Sequence, residues 1–280
     1  MNILKLVSRL LMITLFFILA FYSCSENQDG ETAGDLSINI KEVELATEID
    51  QMDNLIGDIV IEAFEMQQLG DANRLQYNSS IPGCVTVIVI IEKNYTEVTL
   101  DFGVEGCLVK GRLLRGQIVL DHTKIRDARE IRINYGLVDF FVDDKSVMGS
   151  RSILRERTNE NGNPQFTHTI DITVFWPNGA QASREGTRVR EWVKGFGSGT
   201  FSDNVFEITG RWTVDFVNGN THSYEVQKPL RREIGCEYLV SGTVAVERTN
   251  FGGLFDYGDG ECDNLATFTF NNNQIIDITL

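Results

Sequence analysis

Phe166-Thr167-His168-Thr169-Ile170-Asp171-Ile172-Thr173-Val174-Phe175-Trp176, closed by Pro177-Asn178-Gly179, decides the fold. Phe166, His168, Ile170, Ile172, Val174 and Trp176 share one parity, and Thr167, Thr169, Asp171 and Thr173 share the other. Side chains alternate across a strand, so this is a strand with one buried face and one wet face. Asn-Gly after such a run is a strong hairpin signal. The pattern recurs outward from this stretch. Phe206, Ile208, Trp212, Val214 and Phe216 alternate with Glu207, Thr209, Arg211, Thr213 and Asp215, and Asn218-Gly219 follows. Val85–Ile91 is apolar on both parities and reads as a central strand covered on both faces. Further turn signals stand at Lys93-Asn94, Asp143-Asp144, Asn161-Gly162 and Gly252-Gly253. Connections this short join antiparallel neighbours, which predicts a mainly β fold: an antiparallel meander of roughly ten or more strands over 84–280. A sandwich, a curled half-barrel and an elongated sheet all fit the pattern. No run of helical length interrupts it, which argues against parallel βαβ units.

Ahead of this region the period changes. Val43, Ala46, Ile49, Met52, Ile56, Ile59, Val60, Ala63 and Phe64 recur at 3–4 spacing, which predicts one amphipathic α-helix over 41–70, with Gly70 as its stop. Residues 24–71 hold 13 acids and one base, Lys41. The acids of the helix read as a solvated face, with a docking surface for a basic partner as the alternative. The whole chain has 280 residues, 42% hydrophobic, and a formal net charge of −15. That composition excludes a disordered or collagen-like chain, and the length suits one large β domain or two small ones.

Residues 1–23 carry Lys5 and Arg9, then an apolar run from Leu10 to Tyr22 and a small residue, Ser23, before Cys24. The run is too short to span a bilayer, which needs roughly 20 residues, and reads as a secretory signal peptide. Phe21-Tyr22-Ser23-Cys24 resembles the lipobox of bacterial lipoproteins, in which the cysteine is acylated and becomes the new N-terminus. It departs from that pattern at Phe21-Tyr22, where leucine and a small residue are usual. Ser25-Glu26 resembles the acidic export tag of Bacteroidota surface lipoproteins. Residues 24–40 then form a polar tether that lifts the body off a membrane.

Removing Cys24 leaves Cys84, Cys107, Cys236 and Cys262, an even number for an oxidising compartment. Four cysteines allow three pairings, and the flanking pattern selects one. Cys84 and Cys236 each precede a strand-like run, while Cys107 and Cys262 each follow an Asp-[Phe/Tyr]-Gly by four residues. Each pair would stand at the open end of one hairpin, which predicts disulfides Cys84–Cys107 and Cys236–Cys262. Zinc is the poorer reading, since no CxxC or neighbouring histidine has ligand spacing.

Chemistry-bearing constellations are few. His122, His168 and His222 lie 46 and 54 residues apart without metal-ligand spacing, and the last two fall on apolar parities, so buried neutral histidines are expected. No nucleophile elbow or phosphate-cradling loop is present; Gly197-Ser198-Gly199 reads as a flexible loop between strands. Asp256, Asp259 and Asp263, with Glu261 around Gly258 and Gly260, form a weak calcium candidate, against a plain Asp-Gly turn. Arg184, Arg188, Arg190, Trp192 and Lys194 share one parity, and Arg151, Arg155 and Arg157 share a face of another strand. The first set is a possible face for an anionic glycan or lipid headgroup. The competing readings pair these arginines with cross-strand acids such as Glu185, Glu191 and Glu156, or with the acidic helix. Nucleic acid is excluded by charge: once residues 1–23 are removed, 23 bases face 40 acids, a net of −17.

Leu254-Phe255-Asp256-Tyr257-Gly258-Asp259-Gly260-Glu261-Cys262-Asp263-Asn264, together with Leu100-Asp101-Phe102-Gly103-Val104-Glu105-Gly106-Cys107 and Thr187-Arg188-Val189-Arg190-Glu191-Trp192, resembles segments of a group of uncharacterised Bacteroidota lipoproteins. The similarity runs from about Cys84 to Leu280. It implies a lipoprotein location and a β-rich body, and no activity comes with it. The functional expectation is a non-enzymatic outer-membrane lipoprotein without cofactor, held by its N-terminal lipid and meeting an envelope protein or glycan. Two other classes compete: a carrier whose curled sheet encloses a lipid or other apolar ligand, and a hydrolase with an unrecognised site. A continuous cavity beneath the helix would favour the carrier, a solid core the binding module, and a histidine with carboxylates in a wet cleft the enzyme.

Overall fold

A computed structural model describes residues 33–69, 71–123, 128–249 and 251–280. The signal segment, Cys24 and Gly70 lie outside the described residues. The chain divides into a unit Met1–Ile38 and a unit Asn39–Leu280. Helix α1 runs Ala33–Gln68, so helical backbone already begins inside the stretch expected to be tether.

The alternating segments form one antiparallel sheet of 14 strands. They are β1 Thr86–Ile91, β2 Tyr95–Asp101, β3 Cys107–Val109, β4 Arg112–Thr123, β5 Glu130–Val142, β6 Lys145–Glu156 and β7 Gln165–Phe175. There follow β8 Gln181–Lys194, β9 Val205–Phe216, β10 Thr221–Glu233, β11 Leu239–Arg248, β12 Phe251–Asp259, β13 Leu265–Phe270 and β14 Ile275–Thr279. Spatial order follows chain order from β1 to β14, with β3 pairing only β4 off the main path. The meander is therefore as expected, and it is open rather than closed. The Asn-Gly turns close hairpins as read: the Gly179 N–H donates to the Trp176 carbonyl at 3.0 Å, and the Gly219 N–H to the Phe216 carbonyl at 2.9 Å.

The sheet curls around the part of α1 that follows Asn39. From Glu42 to Glu65 almost every helix residue is buried on whichever side it points, with Ile49, Ile56, Val60, Ile61 and Phe64 fully so. Side chains reach the helix from Lys110 beyond β3, Arg151 on β6, Trp176 after β7, Arg190 on β8, Arg232 on β10 and Tyr257 on β12. Such curvature requires breaks in strand regularity. Gly116 in β4 sits at φ 84°, where a Cβ would meet the Asp139 carbonyl oxygen at 2.1 Å. The β4–β5 register shifts there, between Arg115 and Gln117.

Both disulfides form as expected, Cys84–Cys107 with Cα atoms 5.7 Å apart and Cys236–Cys262 at 5.8 Å. One strand departs from its reading. β1 is not a central strand: among the described residues it pairs with β2 alone, as the sheet's first edge, and every residue in it is exposed.

Candidate functional site

The polar centre of the molecule lies between α1 and the concave face of the sheet. Asp50, Asn54, Asp58, Glu62 and Glu65 follow one another at 3–4 spacing and so lie along one stripe of the helix. Arg184, Arg188 and Arg190 have the same parity on β8, because alternate residues of a strand face one way. The stripe and the strand face meet. Arg184 Nη1 stands 2.8 Å from Asp50 Oδ1, and Arg188 donates both to that same oxygen and to Asn54. Arg190 donates to Asp58 Oδ1 at 2.8 Å and to Asn54 Oδ1 at 2.8 Å. Arg151 reaches Asp53 at 2.5 Å and Arg155 reaches Glu65 at 3.0 Å. From β10, Arg232 donates Nη2 to Asp58 Oδ2 at 2.7 Å, and Lys110 adds its ammonium at 3.3 Å.

These contacts overturn the reading of the helix acids as a solvated face. Six carboxylates, Glu42, Asp50, Asp53, Asp58, Glu62 and Glu65, are buried, and six arginines, 151, 155, 184, 188, 190 and 232, are buried with them. Equal numbers of opposite charge are what a water-excluded interior requires. These six buried arginines meet helix carboxylates rather than cross-strand acids: Glu191 instead accepts from Asn161 and Asn163, and Glu156 from Gln165. Nor do they form a free anionic-ligand face. Arg184, Arg188 and Arg190 are at most 2% exposed, with helix carboxylates in the place an anionic ligand would take. Trp192 is buried against Phe166, Phe196 and Phe206, and Lys194 alone of that set is exposed. Trp212 carries two of the guanidinium groups, with Arg184 at 4.4 Å and Arg188 at 4.0 Å from its ring.

Titration follows from this packing. Burial pushes Asp53 and Asp58 upward. Against it, Arg151, Arg184 and Arg188 beside Asp53, and Arg232, Lys110 and Arg190 beside Asp58, hold both below the usual carboxylate range. Glu62 has hydrogen bonds from Ser79 and Ser80 but no arginine against it, and burial raises it. Glu65 is raised for the same reason despite Arg155.

All three histidines are buried, His168 and His222 as their parity predicted. Burial with Arg190 nearby lowers His168 to about 3, and burial also lowers His122 and His222. His222 Nε2 stands 2.7 Å from Glu42 Oε2, but the rings of Phe216, Tyr224 and Phe251 pack around it. A histidine and a carboxylate thus occur together in a fully buried aromatic setting rather than in a wet cleft. Gly197-Ser198-Gly199 lies in the β8–β9 connection, with Ser198 Oγ donating to Asp203 at 2.9 Å. Asp256 and Asp263 each accept the backbone N–H two residues on, from Gly258 and Leu265. Asp259 ends β12. Among the described residues no group of three side chains gathers at metal-ligand spacing.

Depressions lie along the sheet. One of about 370 Å³ is lined by Glu185, Thr187, Arg211, Ser223, Glu225 and Glu247, and one of about 440 Å³ by Asp101, Val104, Arg115, Gln117, Asp139 and Phe141. A gap between helix and sheet, lined by Met52, Leu55, Lys110, Arg112, Arg232 and Tyr238 among others, has a volume of about 20 Å³.

No family model, curated protein or solved structure matches this chain.

Proposed function

We propose that this chain is a non-enzymatic binding or structural module of the cell envelope, carried on an outer-membrane lipid anchor at Cys24 and belonging with the Bacteroidota lipoproteins it resembles. The observation that carries this reading is the filled interior. Carriers of apolar ligands keep a cavity of several hundred Å³. Here α1 occupies that space, and the gap of about 20 Å³ beside it has room for one water. The interior charges are matched to one another, so no anion is needed to balance them. The surfaces left for recognition are the outside of the sheet and its edges, which suits an envelope protein or glycan partner.

Native mass spectrometry of the full chain, extracted in detergent from its own envelope, tests this. The expected mass is the mature chain plus its acyl groups. A reproducible additional mass lost on denaturation would replace the module with the carrier. Cys24→Ala tests the anchor: the variant is expected in the soluble fraction, and retention in the membrane would overturn lipid attachment.

A further inference from the structure

β1 has the sequence of a covered strand and the position of an uncovered one. Val87, Ile88, Val89, Ile90 and Ile91 are between 37% and 58% exposed. The Glu92 N–H donates to the Tyr95 carbonyl at 2.9 Å. By antiparallel alternation, Ile90–Glu97 and Ile88–Thr99 are then the hydrogen-bonded pairs with β2. Val87, Val89 and Ile91 therefore turn their N–H and C=O groups toward the open edge. Hydrocarbon would leave those groups unsatisfied, whereas another strand pairs them.

Exposed edges are normally blunted by lysine, proline, a bulge or brevity. β1 has no proline or charged residue, and its register with β2 is unbroken over six pairs. The sheet's other edge, β14, is five residues long and carries exposed Asp277 near its middle. The Cys84–Cys107 disulfide ties down the chain just ahead of β1.

We propose that the open edge of β1 pairs antiparallel with β1 of a second copy, about a two-fold axis through Val89. This register places Val89 opposite Val89, Val87 opposite Ile91, and Ile88 opposite Ile90 of the second copy. All three residues with free backbone groups meet their counterparts, and no charge enters the five central pairs. The contact is isologous and closes at two copies. Pairing β1 with β14 of another copy would instead be open-ended and would set Asp277 among aliphatic side chains. Stable interfaces bury roughly 1,200–2,000 Å² in total. One six-residue strand pair buries less, so the dimer is expected to be weak and concentration-dependent.

Site-directed disulfide cross-linking of the full-length chain in its own membranes tests the register, with the parent chain as background. Opposed residues of a hydrogen-bonded pair have Cα atoms about 5.5 Å apart, within bridging range. Val89→Cys is expected to yield a species of twice the monomer mass under mild oxidation, at least tenfold above an Ile275→Cys control on β14. Val87→Cys and Ile91→Cys are each expected to remain monomeric alone, because identical residues would be about 13 Å apart. Co-expressed, those two variants are expected to cross-link. Failure of Val89→Cys to dimerise, dimerisation no better than Ile275→Cys, or cross-linking only to a different protein would each overturn the proposal. A cysteine-free readout is sedimentation of the detergent-extracted parent chain, whose dimer fraction is expected to rise with concentration. Ile88→Lys with Ile90→Lys should abolish that rise; a parent chain that stays monomeric throughout, or a dimer indifferent to both lysines, would refute it.

Discussion

Arg232 and Asp58 lie 174 residues apart in the chain and meet at 2.7 Å, with both side chains 2% exposed. Asp58 is in direct contact with three cations, since Arg190 and Lys110 also reach it. It therefore joins α1 to β8, to β10 and to the turn after β3.

Asp58→Asn leaves those three cations facing a neutral amide. Removing one partner of a buried ion pair typically costs about 3–5 kcal/mol, so a lower urea midpoint by that equivalent is expected. Glu44→Ala at the exposed Lys41–Glu44 pair is the contrasting control, with an expected midpoint close to the parent's. Equal effects from the two substitutions would show that the interior network does not hold the helix.

Stability should fall as pH drops below about 6.5. The unfolded chain protonates its histidines near that value, while folded His168, facing Arg190, Arg151, Arg188 and Asp53, is lowered to about 3. Over that window the unfolded state binds the extra proton, at up to about 1.4 kcal/mol per pH unit. His122 and His222, also lowered, act in the same direction. Depressed Asp53 and Asp58 extend the loss below pH 4; Glu62 and Glu65, raised by burial, partly oppose the histidine term above their unfolded value of about 4.3, where the fold takes up their protons first. Urea midpoints at pH 7.5, 6 and 5 measure the slope, and His168→Gln should make it shallower.

Cys236→Ser with Cys262→Ser opens a loop whose ends are 26 residues apart. Loss of its closure should destabilise the fold by about 3 kcal/mol, read as a lower thermal midpoint in non-reducing buffer. Non-reducing peptide mapping of the parent chain should link Cys84 only to Cys107.

Gly116→Ala places a methyl 2.1 Å from the Asp139 carbonyl at a φ of 84°. Backbone strain of this kind costs on the order of 1–3 kcal/mol before the clash is counted. Thermal denaturation should show a clear loss, larger than that for Gly103→Ala, whose φ is 73° but whose Cβ would meet nothing within 4 Å, so that it carries the backbone cost alone.

The meander, its hairpin turns, the helix and both disulfides were legible along the chain because each rests on local rules: alternation, Asn-Gly turns, 3–4 spacing and cysteine flanks. The interior network was not. The stripe of Asp50, Asn54, Asp58, Glu62 and Glu65 and the arginines of one parity on β8 are both visible in the sequence, but a polar stripe has the same spacing whether it faces water or guanidinium groups. Only the curl of the sheet decides between them, because burying Arg184 or Asp58 becomes tolerable once each opposes the other in a space that excludes water.

β1 shows the converse. Thr86–Ile91 has the composition of a covered strand, and nothing in those six residues records how many strands lie beyond it. Identity of neighbours is a property of the whole sheet. What the amino-acid order determined by itself is therefore the set of strands, turns and cross-links. What the tertiary structure alone decided is which charges are inside and which apolar strand is left at the edge, since the buried arginines meet helix carboxylates 90 to 174 residues away and the edge is set by the strand order of the whole sheet.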